Sequence, residues 1–144
     1  MINGRVDVEG GSLEVSGGSL PGVGNELFLE GSSSSVFSGG MIGTDDERIF
    51  IQDSATVRIA GGSWRASTMF VQDFANLHVV DGDFVVSSRV YFQEGATTMV
   101  DGGNWAVRDM YLQGESRNSI SGGTFSGRFL YFQGTANNLS LIHI

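Results

Sequence analysis

Apolar residues along this chain come in short runs that alternate with small or polar ones at period two, as in Leu27 and Leu29 or Val57 and Ile59. That spacing belongs to strands with one buried face, and Gly, Ser, Val and Phe outweigh helix formers throughout. Between the runs stand turn residues, most often a pair of glycines. The arrangement recurs, with copies beginning at Gly17, Gly39, Gly61, Asp81, Gly102 and Gly122. Each copy reads as a turn, one large apolar residue, a variable loop, an apolar-aromatic-apolar triplet, then Gln or Glu, a small residue and another alternating stretch. Self-similarity at this period is the mark of a repeat architecture.

Spacing within the repeat says which part is rigid. From Glu30, Gln52, Gln72, Gln93 and Gln113 the next turn begins nine residues on every time, whereas the count from turn to polar residue varies between eleven and thirteen. Stacked strands joined by one loop of unequal length give this pattern. Leucine-rich repeats have a similar period but need a Leu and Asn spacing that is missing here. The expected fold is therefore all-β, a parallel β-solenoid of about six coils of 20–22 residues. Coils would stack at about 4.8 Å into a rod of roughly 30 Å.

Aligning the copies assigns faces. Leu20, Ile42, Trp64, Phe84, Trp105 and Phe125 form one inward column after the turn. Leu27, Ile49, Met69, Val90, Met110 and Leu130 form another, and Leu29, Ile51, Val71, Phe92, Leu112 and Phe132 a third. Ser33, Ala55, Ala75, Ala96, Ser116 and Ala136 are always small, as a narrow bend requires. Phe37, Ile59, Val79, Val100 and Ile120 close the coil, and glycine supplies the turn conformations.

The same alternation points Phe28, Phe50, Phe70, Tyr91, Tyr111 and Tyr131 outward as an unbroken aromatic ladder, flanked by Glu30 and the five glutamines. Such a stripe suits a binding surface for sugar rings or a neighbouring solenoid chain. It equally suits simple stacking, because like residues in parallel sheets line up ring on ring and amide on amide. These six aromatics are the candidate binding residues.

Composition narrows the partners. With eight Arg, no Lys, sixteen acids and a formal charge of −8, nucleic acid and anionic membranes are poor partners. No run is long enough for a membrane-spanning helix, and the lack of Cys excludes disulfides. Residues 1–138 read as one solenoid domain cut at both ends, with Val6 and Val8 closing a coil before a turn at Gly10. The turn due at position 142 is replaced by Ile142 and His143. The last stretch, 139–144, reads as a doubtful, adapter-like tail, which also sets aside the sequon at Asn138-Leu139-Ser140. Uncapped coils predict self-association through open strand edges.

Catalytic, cofactor and metal constellations are not found. Without Lys no phosphate-binding loop can form, and the glycine pairs sit at turns. His78 reads as a solvated surface residue. Asp53, Asp73 and Glu94 follow the Gln column in consecutive coils and either repel, hydrate or share a calcium ion. The run Asp45-Asp46-Glu47 reads as a solvated loop tip, and Arg89 and Arg108 as loop residues.

The phrases GGSLEVSGGSL, VRIAGGSW, TMVDGGNW and NSISGGTF resemble the Gly-Gly-punctuated β-solenoid repeats of bacterial surface and secreted proteins, autotransporter passenger domains among them. The resemblance spans most of residues 10 to 138. It implies a right-handed, pectin-lyase-like β-helix, extracellular or at the cell surface, acting as stalk, adhesin or matrix component and not as an enzyme. The alternative is a carbohydrate-binding or polysaccharide-lyase-like solenoid using the aromatic ladder. A lyase would show a non-repeating charged cluster, ice binding would need a flat Thr ladder, and the chain shows columns.

Overall fold

Alternating strands this short cannot bury their apolar face alone, so each must stack on its neighbours. A computed structural model of the chain describes residues 5–20, 26–135, 137 and 138, with Arg5, Asn137 and Asn138 as backbone only. The tail at 139–144, the sequon, His143 and Ala136 lie outside the described residues. Every described strand pairing is parallel, and the chain winds as a β-solenoid of about six turns with no helix among the described residues.

Each coil has three sides. The ladder side is built from Arg5–Glu9, Glu26–Glu30, Arg48–Ile51 and their counterparts, ending at Phe129–Phe132. A second side holds Ser12–Val15, Ser34–Phe37, Thr97–Val100 and Arg117–Ile120. The third runs from Ser19–Leu20 through Met41–Ile42 to Thr124–Ser126. In the central coils hydrogen bonding continues around the corners, so that Thr56–Val71 and Asn76–Phe92 are each one bent strand. Corner amides also bond to the coil before, as in Gln72 N–H to Ile51 C=O at 3.0 Å and Asn76 N–H to Ala55 C=O at 2.8 Å.

The pairing register reproduces the columns. Leu20 pairs with Ile42, Ile42 with Trp64, Trp64 with Phe84, Phe84 with Trp105 and Trp105 with Phe125. Within the core these rings stack, Trp64 on Phe84 at 6.0 Å, Phe84 on Trp105 at 4.1 Å and Trp105 on Phe125 at 5.6 Å between centroids. Phe37 meets Trp64 edge-on. The small column is buried at Ser33, Ala55, Ala75, Ala96 and Ser116. Ala66, Val86 and Val107 add a further inward column two residues beyond the rings.

The two glycines of each turn have different causes. The second, as in Gly62 at φ +95° and Gly103 at φ +93°, occupies the left-handed region where a Cβ is strained. The first has no such dihedral and is excluded from growing by contact: a Cβ on Gly102 would lie 2.4 Å from the Val80 carbonyl oxygen. Where Asp81 takes the first position the ladder slips, Ala60 rather than Gly61 pairing with it, and Asp81 Oδ1 accepts the Gly82 N–H at 2.8 Å.

Sequence expectations change at several positions. Val6 and Val8 do not close a coil: they pair with Leu27 and Leu29, so Arg5–Glu9 is a full layer of the ladder side and Gly10 sits at the corner after Glu9. A glycine pair there mimics the other turn. Arg89 and Arg108 lie within strands, Arg89 in register with Asp109 and Arg108 at an irregularity between Val107 and Asp109. Glu47 is no solvated tip. It is 3% exposed, its Oε2 accepts the Thr44 N–H at 3.1 Å, and its C=O accepts from Ser67 N–H and Oγ–H. Burial pushes its carboxyl above the ordinary value, opposed by that backbone bond. Asp45 and Asp46 do stand in solvent, Asp45 accepting from Arg65 at 3.2 Å.

Candidate functional site

On the ladder side every second side chain leaves the core, and parallel in-register pairing sets like on like. Phe28, Phe50, Phe70, Tyr91, Tyr111 and Tyr131 are brought together as one stack. Centroid distances run 4.5, 4.9, 5.0, 4.8 and 4.6 Å along it, with planes within 19° of parallel. Ring faces are therefore covered by other rings, and what solvent meets is a row of ring edges and tyrosine hydroxyls. Tyr131, at the C-terminal end of the stack, is 38% exposed, while the other five are half-buried.

The polar ladder beside it is hydrogen-bonded in series. Gln93 donates to Gln72 at 2.7 Å, Gln72 to Gln52 at 2.9 Å, and Gln52 to the Glu30 carboxylate at 2.5 Å. A carboxylate only accepts, so Glu30 is a fitting terminus for a run of amides whose donors point towards the N-terminal end. In the C-terminal part the direction is opposite, with Gln113 donating to Gln133 at 2.6 Å. Gln72→Leu removes a donor and an acceptor from the half-buried middle of this series, leaving Gln93 and Gln52 short of a partner. We expect a loss of about 1–3 kcal/mol in urea unfolding, against under 1 kcal/mol for Gln72→Asn if the shorter amide still reaches one neighbour.

Third along the same side is a charged row. Arg48 is paired with Glu26 and its guanidinium lies 6.0 Å from the Phe50 ring centre. Arg89 Nη1 donates to the Tyr91 hydroxyl at 3.5 Å. These pairs sit in solvent and contribute little to stability.

The acids after the Gln column have a structural task. Asp53, Asp73 and Glu94 all have φ near +60°, the same left-handed corner that Gly31 and Gly114 fill in other coils at φ +64°. The Asp53 carboxylate accepts the Gly31 N–H at 3.0 Å, and the Asp73 carboxylate accepts the Asp53 N–H at 3.2 Å. Each acid thus satisfies a corner amide of the coil before it. A hydrogen bond with the Asp73 side chain, then slight burial and Asp73's charge, holds the Glu94 carboxyl above its ordinary value. Among the described residues no group of three His, Cys, Asp or Glu is placed to hold a metal ion.

His78 is not simply solvated, because its Nε2 lies 2.7 Å from Asp101 Oδ2, while Ser121 Oγ donates to Asp101 Oδ1 at 2.8 Å. Those two bonds hold the Asp101 carboxyl below its ordinary value, the His78 bond first. Asp101 sits between Ser121 and His78. Nucleophilic catalysis needs the imidazole between hydroxyl and carboxylate, so this order does not activate the serine. Sequence reasoning missed this pairing because the residues belong to successive coils on the second side, separated by a corner.

Large apolar side chains are exposed elsewhere, at Phe74, Met41 and Met99, and Phe129, Leu130, Tyr131 and Phe132 are exposed together in the last described ladder strand. A cavity of about 230 Å³ lies at the same end, lined by Val107, Met110, Ile120, Phe125 and Leu130 among others. These are core columns that end there. Among the described residues no helix is long and apolar enough to cross a membrane. Comparison with protein-family models, with curated protein sequences and with solved structures finds no match for this chain.

Proposed function

We propose that this chain is a structural or adhesive segment of an extracellular or cell-surface β-solenoid protein, a rod that spaces or presents what it is joined to. One observation carries the reading: the outward ladders are consumed by the fold itself. Rings cover rings, amides bond amides, and corner acids cap backbone N–H groups. Sugar rings dock on aromatic faces, and in this stack faces are already occupied by neighbours 4.5–5.0 Å away.

The test is retention on immobilised polysaccharides of the wild-type chain and of a Tyr91→Ser, Tyr111→Ser, Tyr131→Ser triple variant whose fold is checked by circular dichroism. Neither protein should be retained. Retention of the wild type that the variant loses would replace this reading with a carbohydrate-binding track along the ladder.

A further inference from the structure

Stacking asks only for a ring, and phenylalanine supplies it in three successive layers of the outward column, at Phe28, Phe50 and Phe70. The next three layers carry Tyr91, Tyr111 and Tyr131, and these are all the tyrosines of the chain. Each therefore stands against another, Tyr91 on Tyr111 at 4.8 Å and Tyr111 on Tyr131 at 4.6 Å between ring centres, with planes 19° and 10° apart. Phenol groups are thus gathered into one file, separate from the phenylalanine half of the column. The Tyr91 hydroxyl accepts from Arg89 Nη1 at 3.5 Å, a bond that does not use its own hydrogen.

A phenol differs from a benzene ring in its chemistry with one-electron oxidants. It gives up an electron and a proton, leaving a radical whose unpaired electron is shared between the oxygen and the ortho carbons. In solution two such radicals must find each other. In-register pairing holds the second ring against the first, and proximity of this kind turns an encounter between molecules into a step within one. The rings lie face to face whereas the new bond joins ring edges, so both must turn about their side-chain bonds. Half-buried side chains on the outward face have that freedom.

We propose that Tyr91, Tyr111 and Tyr131 form a dityrosine cross-linking site, at which a haem peroxidase with hydrogen peroxide couples tyrosines of neighbouring coils and staples those coils covalently. Two phenols each lose one electron and one proton, and together these reduce one peroxide molecule to two of water. A carbon–carbon bond forms between one ortho carbon of each ring. The hydrogens on those carbons then shift to the oxygens, which restores both phenols, so the product lacks two hydrogen atoms. Tyr111 is the shared member, because it alone has a tyrosine in the layer on either side. The inference goes beyond the reading of the chain as a rod and holds whatever that rod is joined to.

The test oxidises the folded chain at low concentration with a haem peroxidase and hydrogen peroxide, then separates products of single-chain size from larger ones. Trypsin cuts this Lys-free chain after Arg89, Arg108, Arg117 and Arg128, which places the three tyrosines on three different peptides. Dityrosine fluorescence and the masses of linked peptides should show Tyr91 joined to Tyr111 and Tyr111 joined to Tyr131 within single chains. Tyr111→Phe supplies the ring that Phe28, Phe50 and Phe70 already use and leaves Tyr91 and Tyr131 two layers apart. It should lower the single-chain product by about tenfold or more, while Tyr131→Phe keeps the link between Tyr91 and Tyr111. Absence of linked peptides in the wild type overturns the proposal, as do links confined to larger products or a yield that Tyr111→Phe leaves unchanged. Circular dichroism is the fold control. Should Tyr111→Phe fail it, the wild-type peptide map decides: links between adjacent layers support the site, and a link between Tyr91 and Tyr131 as abundant as either overturns it.

Discussion

Gly103→Ala should destabilise the protein by about 2–5 kcal/mol, a large share of the stability of a domain this size. Two separate costs act at this atom. The backbone stands at φ +93°, where an L side chain is strained, and the new Cβ would lie 2.8 Å from the Gly82 carbonyl oxygen of the coil before. That oxygen belongs to the turn on which the coil rests, so moving it disturbs the stack. Gly102→Ala isolates the second cost. Its dihedral is outside the strained region, yet its Cβ would come 2.4 Å from Val80 O, and about 1–3 kcal/mol is expected. The comparison is made from urea midpoints at unchanged m. Equal losses at the two positions would show that strain at Gly103 adds nothing to the contact.

Trp105→Ala should cost about 3–5 kcal/mol, the range for deleting a large buried ring. Trp105 is 1% exposed and held between Phe84 at 4.1 Å and Phe125 at 5.6 Å, so a cavity opens in the middle of the ring column. The nearest coils are pinned by their own hydrogen bonds and cannot close it. Trp105→Phe provides the contrast. Phe already occupies this column at Phe84 and Phe125, and the indole N–H of Trp105 is buried with no hydrogen-bond partner among the described residues. Losing that donor offsets part of the lost area, and a change under about 1.5 kcal/mol is expected. A loss for Trp105→Phe as large as for Trp105→Ala would mean that the indole shape itself, not ring stacking, holds the column.

Much of this was legible from spacing alone. A coil of constant length between Gln and the next turn forces register, and register fixes which residues stack, so the inward columns and both ladders could be placed before any coordinates. The acid and glycine mixture at Gly31, Asp53, Asp73, Glu94 and Gly114 was visible as a column, but its meaning was not. A shared left-handed corner unites those residue types, and periodicity reports side-chain direction, not backbone dihedral. Gly10-Gly11 misled for a related reason. Two kinds of corner use glycine, and only pairing with the next coil distinguishes them. Glu47 escaped because loop polarity says nothing about a side chain that folds back on its own turn. The stripe of aromatics was read correctly as outward, whereas the loss of its ring faces to one another depends on rotamers that a sequence does not display.

Because the strands of each coil pair only with those of the coil above and the coil below, cohesion in this molecule is largely a nearest-neighbour property. Opening is accordingly a coil-by-coil process, since releasing one layer takes away one of the two neighbours that hold the next. A coil such as the one holding Phe70 and Gln72 is released only after its flanking coils have gone. The amides slowest to exchange with solvent are accordingly those of Thr56–Val71 and Asn76–Phe92, whose bent strands lie deepest in the stack.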